Sequence, residues 1–298
     1  MRAVVLWVVF SVVLGPLLAH AQSSSWLQDA RPCQILDRAP HPTVALGFDY
    51  VSDADIDGFG RTGLVEWDAH WAAAYFHDVL LGDIDIGFDG RFRMLTYPAR
   101  LQLPDRLVAL AVDVGWTWRY VNDTALQVRL QPGFYSNMER LEFDALFVPF
   151  SAVGVLRLLD SCSAMVGMRI RPGFERVLMP VIGVAWEPVP EVRVEAMLPD
   201  SRVEVFWTRD WSTHVRFAWA SETYQLHEDG NFQRDAITVE DYRAAVGATR
   251  RITDELYVSG EVGTAFGRSI EFRGKGGPTQ SVDIDPSPFV RIALAGPF

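Results

Sequence analysis

The sequence predicts an all-β fold, an antiparallel transmembrane up-and-down β-barrel of about fourteen strands, and three observations lead to it. Apolar and polar residues alternate with period two along most of the chain. Beyond the N-terminal segment, no second apolar run of about twenty residues occurs, so a helical membrane protein is excluded. Long and short connections alternate, as in exported barrels with short periplasmic turns and long outer loops.

The N-terminal segment, residues 1–21, has the features of a secretory signal peptide. Arg2 precedes an apolar run at 3–18, and Ala19, His20 and Ala21 form a small-x-small cleavage site. We therefore expect cleavage after Ala21. Residues 22–42 are irregular and contain Ser and Pro, which predicts a periplasmic N-terminal tail, and residues 43–298 are expected to form the barrel.

The alternation defines the strands and their two faces. Trp67 and Trp71, for example, alternate with Glu66, Asp68 and His70. Successive side chains of a strand point to opposite faces, so each segment has one apolar face and one that is often charged. A soluble β-sandwich alternates in the same way, but many long strands with Trp and Tyr near their ends favour the membrane barrel. The predicted strands are 43–51, 62–74, 81–93, 106–119, 123–134, 151–159, 163–171, 179–187, 191–198, 201–209, 212–226, 239–251, 255–267 and 287–296.

One connection departs from the expected order. The pair Pro199 and Asp200 is short where a long outer loop is due. If this pair lies within one bent strand, or if 151–159 is not a full span, the barrel has twelve strands. Either even number returns the chain to its starting side, so both ends are expected to be periplasmic.

The composition argues against several classes of function. A formal net charge of −11 disfavours nucleic acid as a partner. The sequence has no His/Cys cluster with metal-ligand spacing, so neither a metal nor another cofactor is predicted. Hydrolysis at the barrel rim would need Ser, His and an acid together, and no serine has a recognisable nucleophile context. We therefore expect no enzyme activity.

The charged face of the strands is expected to line the lumen, since a charge facing hydrocarbon costs about 2–4 kcal/mol at the membrane midplane. One interpretation is a passive channel or transporter for small polar solutes, with acidic and basic walls that orient them. The alternative is a structural or surface-interaction barrel whose closed lumen is filled by ion pairs. The candidate lumen residues are Glu66, Asp68, His70, Asp83, Asp85, Asp89, Arg91, Arg93, Asp113, Arg119, Arg129, Arg169, Arg171, Arg193, Arg202, Arg216 and Arg243.

The C-terminus resembles the signal that directs barrels to their assembly machinery, a terminal aromatic residue after an alternating strand. Phe298 follows Val290, Ile292 and Leu294 at alternate positions, although Gly296 and Pro297 depart from the usual pattern. The expected location is the outer membrane. The expected partners are its lipid and the barrel-assembly machinery.

Two cysteines, Cys33 and Cys162, are the only ones in the chain. The predicted topology places Cys33 in the periplasmic tail and Cys162 in a short periplasmic connection. Both would then lie on the oxidising side of the membrane, and we expect a disulfide between them, with two unpaired thiols as the alternative.

The stretch from Pro180 to Phe272 carries a family resemblance. It contains PVIGVAWEP, LPDSRVE and DYRAAVG. These motifs resemble an uncharacterised bacterial family of outer-membrane β-barrels, known only as a domain of unknown function. The resemblance implies a barrel but no activity, ligand or catalytic residue. Asp200 and Ser201 stand where the family pattern favours a more basic or Pro-containing hairpin tip.

Overall fold

The computed structural model describes residues 43–56, 60–96, 103–120, 123–139, 143–226, 234–253, 256–274 and 280–297. The predicted signal peptide with its cleavage site, the tail at 22–42, Cys33 and Phe298 lie outside these ranges. Predictions about them therefore remain predictions.

The described chain consists almost entirely of strands. One 3₁₀ turn, Phe143–Ala145, lies between β6 and β7. Among the described residues, no helix is long and apolar enough to cross a membrane. The strand segments are β1 (Thr43–Ile56), β2 (Gly60–Val79), β3 (Gly82–Thr96), β4 (Arg106–Tyr120), β5 (Thr124–Leu130), β6 (Gly133–Ser136), β7 (Leu146–Phe147), β8 (Phe150–Leu159), β9 (Cys162–Ile170), β10 (Leu178–Val189), β11 (Val192–Leu198), β12 (Asp200–Phe206), β13 (Trp211–Gln225), β14 (Arg234–Arg251), β15 (Tyr257–Gly274), β16 (Gln280–Ile284) and β17 (Ser287–Pro297).

These segments form one closed antiparallel barrel. β1 pairs with β2 on one side and with β16 and β17 on the other, which closes the sheet. Three wall strands consist of two segments each: β5 with β6, β7 with β8, and β16 with β17. The wall therefore has fourteen strands, which confirms the predicted fold and strand number.

The twelve-strand alternative is wrong. β11 and β12 are two separate strands paired in antiparallel register, with Val192 opposite Val205, and Pro199 alone joins them. β8, together with β7, forms a full wall strand, and β8 is hydrogen-bonded to β5 and β9.

The outward face of the wall is apolar. Val246, Val262 and Val290 lie side by side on β14, β15 and β17, and all three are exposed. Exposed aromatic residues mark the ends of strands near the short turns, as an interfacial girdle requires. They include Tyr120, Trp186, Trp207, Trp211 and Tyr257. This is the outer surface of a barrel that stands in a membrane.

Replacing one of these valines tests the assignment of the membrane face. Val262→Arg is expected to lower the free energy of unfolding in lipid vesicles by about 2–4 kcal/mol, because the new charge faces hydrocarbon. Thr253→Arg, in the short turn after β14, is the control and should change it little. Equal effects of the two substitutions would contradict the assignment.

The outer hairpins are longer than predicted. β14 begins at Arg234 rather than at 239, and β15 continues to Gly274 rather than to 267. Polar residues such as Thr238, Glu271 and Arg273 occur in these extensions. In these extensions the alternation is reversed, because Ile237, Ile270 and Phe272 face the interior and the polar residues face outward.

The barrel narrows towards its outer end. β12 pairs with β13 only as far as Asp200 opposite Ala218, whereas β13 continues to Gln225 and pairs there with Ser136 of β6. β13 thus crosses towards a strand on another side of the wall, and the outer part of the barrel encloses a smaller space. Inward apolar side chains fill that space and form the outer plug: Val51, Ala54, Ile56, Leu64, Leu95, Leu107, Ala109, Tyr135, Phe147, Phe174, Tyr224, Ile237, Val239, Ala245, Ala265, Ile270, Phe272, Ile284 and Phe289.

Candidate functional site in the barrel lumen

The period-two alternation turns the charged residues of neighbouring strands into the lumen. On β2, Glu66, Asp68 and His70 face inward while Trp67 and Trp71 face the membrane. The strand segments place all the other predicted lumen residues on the inward side as well, and Arg171, directly after β9, is buried. Their assignment to a solute pathway is a separate question, which depends on how they are paired.

Glu66 is the centre of a network on the outer half of this charged region. Its carboxylate lies 3.2 Å from Arg91 Nε, 3.2 Å from Arg93 Nε and 3.1 Å from Arg243 Nη2. Arg91 and Arg93 come from β3 next to β2, whereas Arg243 reaches in from β14. One buried carboxylate therefore holds three guanidinium groups.

The same network spans the lumen. Arg91 forms an ion pair with Glu222 of β13, and Arg93 Nη1 lies 3.6 Å from Glu222 Oε2. Tyr224 donates a hydrogen bond of 2.5 Å from its hydroxyl to the same carboxylate. Because β13 has left β12 and crosses the barrel towards β6 here, these pairs join β3 to β13 across the narrowed lumen.

A third set of pairs joins the first and last strands. Arg291 of β17 pairs with Asp49 of β1 and lies 2.9 Å from Asp68 Oδ1 of β2. Arg243 Nη1 is 3.4 Å from Asp49 Oδ2. The seam where the two ends of the sheet meet is therefore held by side chains in addition to its main-chain hydrogen bonds.

A small cavity remains between these groups. Its volume is about 30 Å³, and its lining includes Asp49, Asp68, Arg216, Ala218 and Phe289. A water molecule needs roughly 10–15 Å³ of such space, so this cavity has room for about two or three waters.

Charged residues in the half of the lumen nearer the short turns are also paired. Arg216 binds Asp200 at 2.5 Å and Glu261 at 3.4 Å. His214 Nε2 lies 3.0 Å from Glu261. On the other side, Arg129 pairs with Asp113 and lies 2.7 Å from Asp85 Oδ2. The hairpin residue Asp200, which departs from the family pattern, thus has a structural role in this network.

Asp49, Glu66 and Asp68 could in principle hold a metal ion, since their ligand oxygens lie within 4.8 Å of one another. Each of the three, however, already pairs with Arg91, Arg93, Arg243 or Arg291. The guanidinium groups supply the positive charge that a cation would bring. The arrangement is that of an ion-pair network rather than of a metal centre.

Comparison with protein families identifies the chain. The model of a family described as a domain of unknown function, DUF6268, matches residues 92–279, more than half of the sequence. The chain belongs to DUF6268. The resemblance carried by Pro180 to Phe272 is therefore confirmed. No curated protein matches the sequence.

Several solved structures are similar to this DUF6268 barrel. An outer-membrane channel of Pseudomonas putida F1 is 10% identical, with a TM-score of 0.45, over 87% of this chain and 96% of that one. The toluene transporter TodX of Pseudomonas putida is 10% identical, with a TM-score of 0.38, over 94% and 95%. A FadL homologue of Pseudomonas aeruginosa is 9% identical, with a TM-score of 0.36, over 89% and 91%.

Several residues of the ion-pair network are not among the lumen residues predicted from the sequence. Asp49 and Arg291 alternate with apolar neighbours in sequence, so the pattern that revealed Glu66 could also have revealed them. Glu222 lies in a polar stretch, Ser221 to Gln225, where no alternation distinguishes the two faces. Only the path of β13 across the barrel shows that Glu222 faces Arg91 and Arg93.

Two further predictions are located by the DUF6268 structure without being tested. Val290, Ile292 and Leu294 face outward on β17, and their role as an assembly signal remains a prediction. Cys162 begins β9, directly after the two-residue turn that follows β8. The proposed bond to Cys33 also remains a prediction.

Proposed function

We propose that this protein is an outer-membrane transporter for small solutes whose lumen is closed at rest. The observation that carries the proposal is the wall-to-wall network of buried ion pairs around Glu66 and Glu222. It lies directly below the outer plug, where the same barrel fills its interior with apolar side chains.

The contrast between these two regions supports a role beyond stability. Burying an ion pair removes both charges from water, and replacing such pairs by apolar residues is often neutral or stabilising. In the outer plug the interior of the same barrel is filled by apolar side chains, so this fold accommodates an apolar interior. Charges retained in the centre are therefore better explained by a pathway that becomes hydrated when the pairs separate.

A structural barrel with a permanently closed lumen is the second candidate. The cavity of about 30 Å³ favours it, because this space between the ion pairs holds only about two or three waters. The two candidates differ in whether the pairs ever separate.

Single-channel recording in planar bilayers distinguishes them. The wild-type protein is expected to conduct in brief openings, and Glu222→Gln should lengthen these openings several-fold, because Arg91 and Arg93 lose their partner across the lumen. The matched control is Glu187→Gln, which breaks the pair with Arg193 between neighbouring strands. Folded wild-type and Glu222→Gln proteins that never conduct would refute the transporter and leave the structural barrel.

A further inference from the structure

The wall of the barrel is interrupted between β10 and β13. The outermost paired residues of β10 and β11 are Ile182 and Leu198. The outermost paired residues of β12 and β13 are Asp200 and Ala218. The main-chain N–H of Trp219 donates to the carbonyl of Pro199 at the tip of the β11–β12 hairpin. Residues 178–181 of β10 and 220–225 of β13 continue outward beyond this hairpin. We call this gap between the two long strands the lateral gap.

Side chains, rather than strands, close the lateral gap. Met179 faces inward on β10 and Trp219 faces outward on β13, yet the two belong to one buried cluster and are only 4% and 3% exposed. In a continuous wall the hydrogen-bonded strands would separate an inward from an outward side chain. Leu198, Phe217 and Tyr242 pack against the pair, and Trp219 stacks on Tyr242.

The β9–β10 connection, residues 171–177, covers the outer part of the lateral gap, and we call it the strap. Arg171 Nη1 donates to the carbonyl of Ser221 at 2.8 Å, and the main-chain N–H of Glu175 donates to Thr223 Oγ1 at 3.1 Å. The first acceptor is a main-chain carbonyl of β13, and the second is a side-chain hydroxyl that also lies 2.8 Å from Thr238 Oγ1 of β14. Hydrogen bonds from the strap thus reach β13 where β12 no longer pairs with it.

Two further contacts fasten the strap at its sides. Arg176 Nη2 lies 3.5 Å from Glu240 of β14. The ring of Phe174 packs against Tyr135 and Phe147 of the outer plug, at centroid distances of 5.1 Å in both cases. Phe174 thus links the position of the strap to the packing inside the barrel.

We infer that the lateral gap is a doorway between the outer leaflet and the lumen, which the strap holds shut. In hydrocarbon an unpaired main-chain group costs several kcal/mol, so membrane barrels normally close their walls with strands. Here side-chain and strap contacts stand in place of strand pairing, so opening the lateral gap breaks few of the main-chain hydrogen bonds that the described residues form. The outer plug blocks the route along the axis, whereas the lateral gap leads beneath it.

The lining identifies the class of substrate. The lateral gap is lined by apolar side chains, those of Trp219, Phe217, Met179 and Leu198. The charged pair Arg216 and Asp200 lies on its lumen side. A small amphiphile dissolved in the outer leaflet matches both surfaces, its apolar part in the passage and its polar end among the charges. This inference rests on the proposed transporter function and names the molecules that it would carry.

Cysteine labelling in liposomes tests the doorway. The reporter is Met179→Cys in a Cys33→Ser/Cys162→Ser background, and the control reporter is Val155→Cys, a buried residue of β8, a strand that is paired with β5 on one side and β9 on the other. Pyrene maleimide, which dissolves in lipid, should label Met179→Cys at least about tenfold faster than Val155→Cys, because local opening exposes only the first. A water-soluble sulfonated maleimide should show no such preference.

Loosening the strap provides the second arm. Phe174→Ala and, separately, Arg171→Gln should each raise the pyrene labelling of Met179→Cys several-fold and leave that of Val155→Cys unchanged, which also shows that the variants are folded. Equal pyrene labelling of the two reporters, or no response to either strap variant, would overturn the doorway. Labelling needs no solute to cross the barrel, so this test can fail while the conductance test succeeds, and the reverse.

Discussion

Glu66→Ala is expected to lower the free energy of unfolding by about 3–5 kcal/mol, because it leaves the buried guanidinium groups of Arg91, Arg93 and Arg243 without their shared carboxylate. The loss of stability does not measure the net free energy that the ion pairs contribute. It arises because the three guanidinium charges remain buried after their partner is removed. Unfolding in urea, followed by tryptophan fluorescence in lipid vesicles, measures it.

The matched control for this substitution is Asp55→Ala. Asp55 pairs with Arg61 near the outer rim, where the two side chains are 73% and 67% exposed, so its loss should change the unfolding free energy by less than about 1 kcal/mol. A Glu66→Ala protein as stable as the Asp55→Ala protein would mean that water already reaches the three arginines, and that the lumen is open rather than filled.

Phe289→Ala is expected to have an effect of similar size, about 3–5 kcal/mol, since it removes a large side chain from a packed interior. Phe289 is 3% exposed and lies at the boundary between the outer plug and the central cavity. Its ring also lies 5.7 Å from the guanidinium carbon of Arg243, so the substitution disturbs both regions.

Phe143→Ala is the control for this loss of a ring. Phe143 is 88% exposed, and its removal should leave the unfolding free energy nearly unchanged. If Phe289→Ala were equally silent, the outer plug would not be a close-packed core, and the argument that the axis of the barrel is blocked would fail.

Much of this architecture can be predicted from the sequence because a membrane barrel has a simple rule. A membrane strand such as β2 must present apolar side chains to the lipid on one face and polar side chains to the lumen on the other. Trp67 and Glu66 therefore reveal its orientation without any partner strand. Short inner turns such as Leu80 and Leu81 then fix which strands are neighbours. The strand number and the inward direction of the charges follow from these local signals.

The outer constriction could not be predicted in this way. It depends on β13 leaving β12 after Ala218 and meeting Ser136, and no local pattern encodes a contact between segments so far apart in the chain. For the same reason the strap residue Phe174 could not be assigned to the outer plug. In the sequence it is a single aromatic residue in a connection between two strands.

The partners in the ion pairs could not be predicted from the sequence either. Arg93 could be recognised as a lumen residue, but its contacts with both Glu66 and Glu222 depend on the diameter of the barrel. In a wider barrel the same residues would line a hydrated pore. Whether charges on opposite walls meet is therefore the point that separates a closed lumen from an open one.

A double-mutant cycle on Arg91 and Glu222 measures this directly. With Arg91→Gln, Glu222→Gln and the combination, unfolding free energies should give a coupling of about 1–3 kcal/mol, as expected for buried groups in contact. The pair Asp55 and Arg61 serves as the exposed reference. A coupling between Arg91 and Glu222 that is indistinguishable from zero would show that β3 and β13 do not meet across the lumen, and would contradict a barrel that is closed at rest.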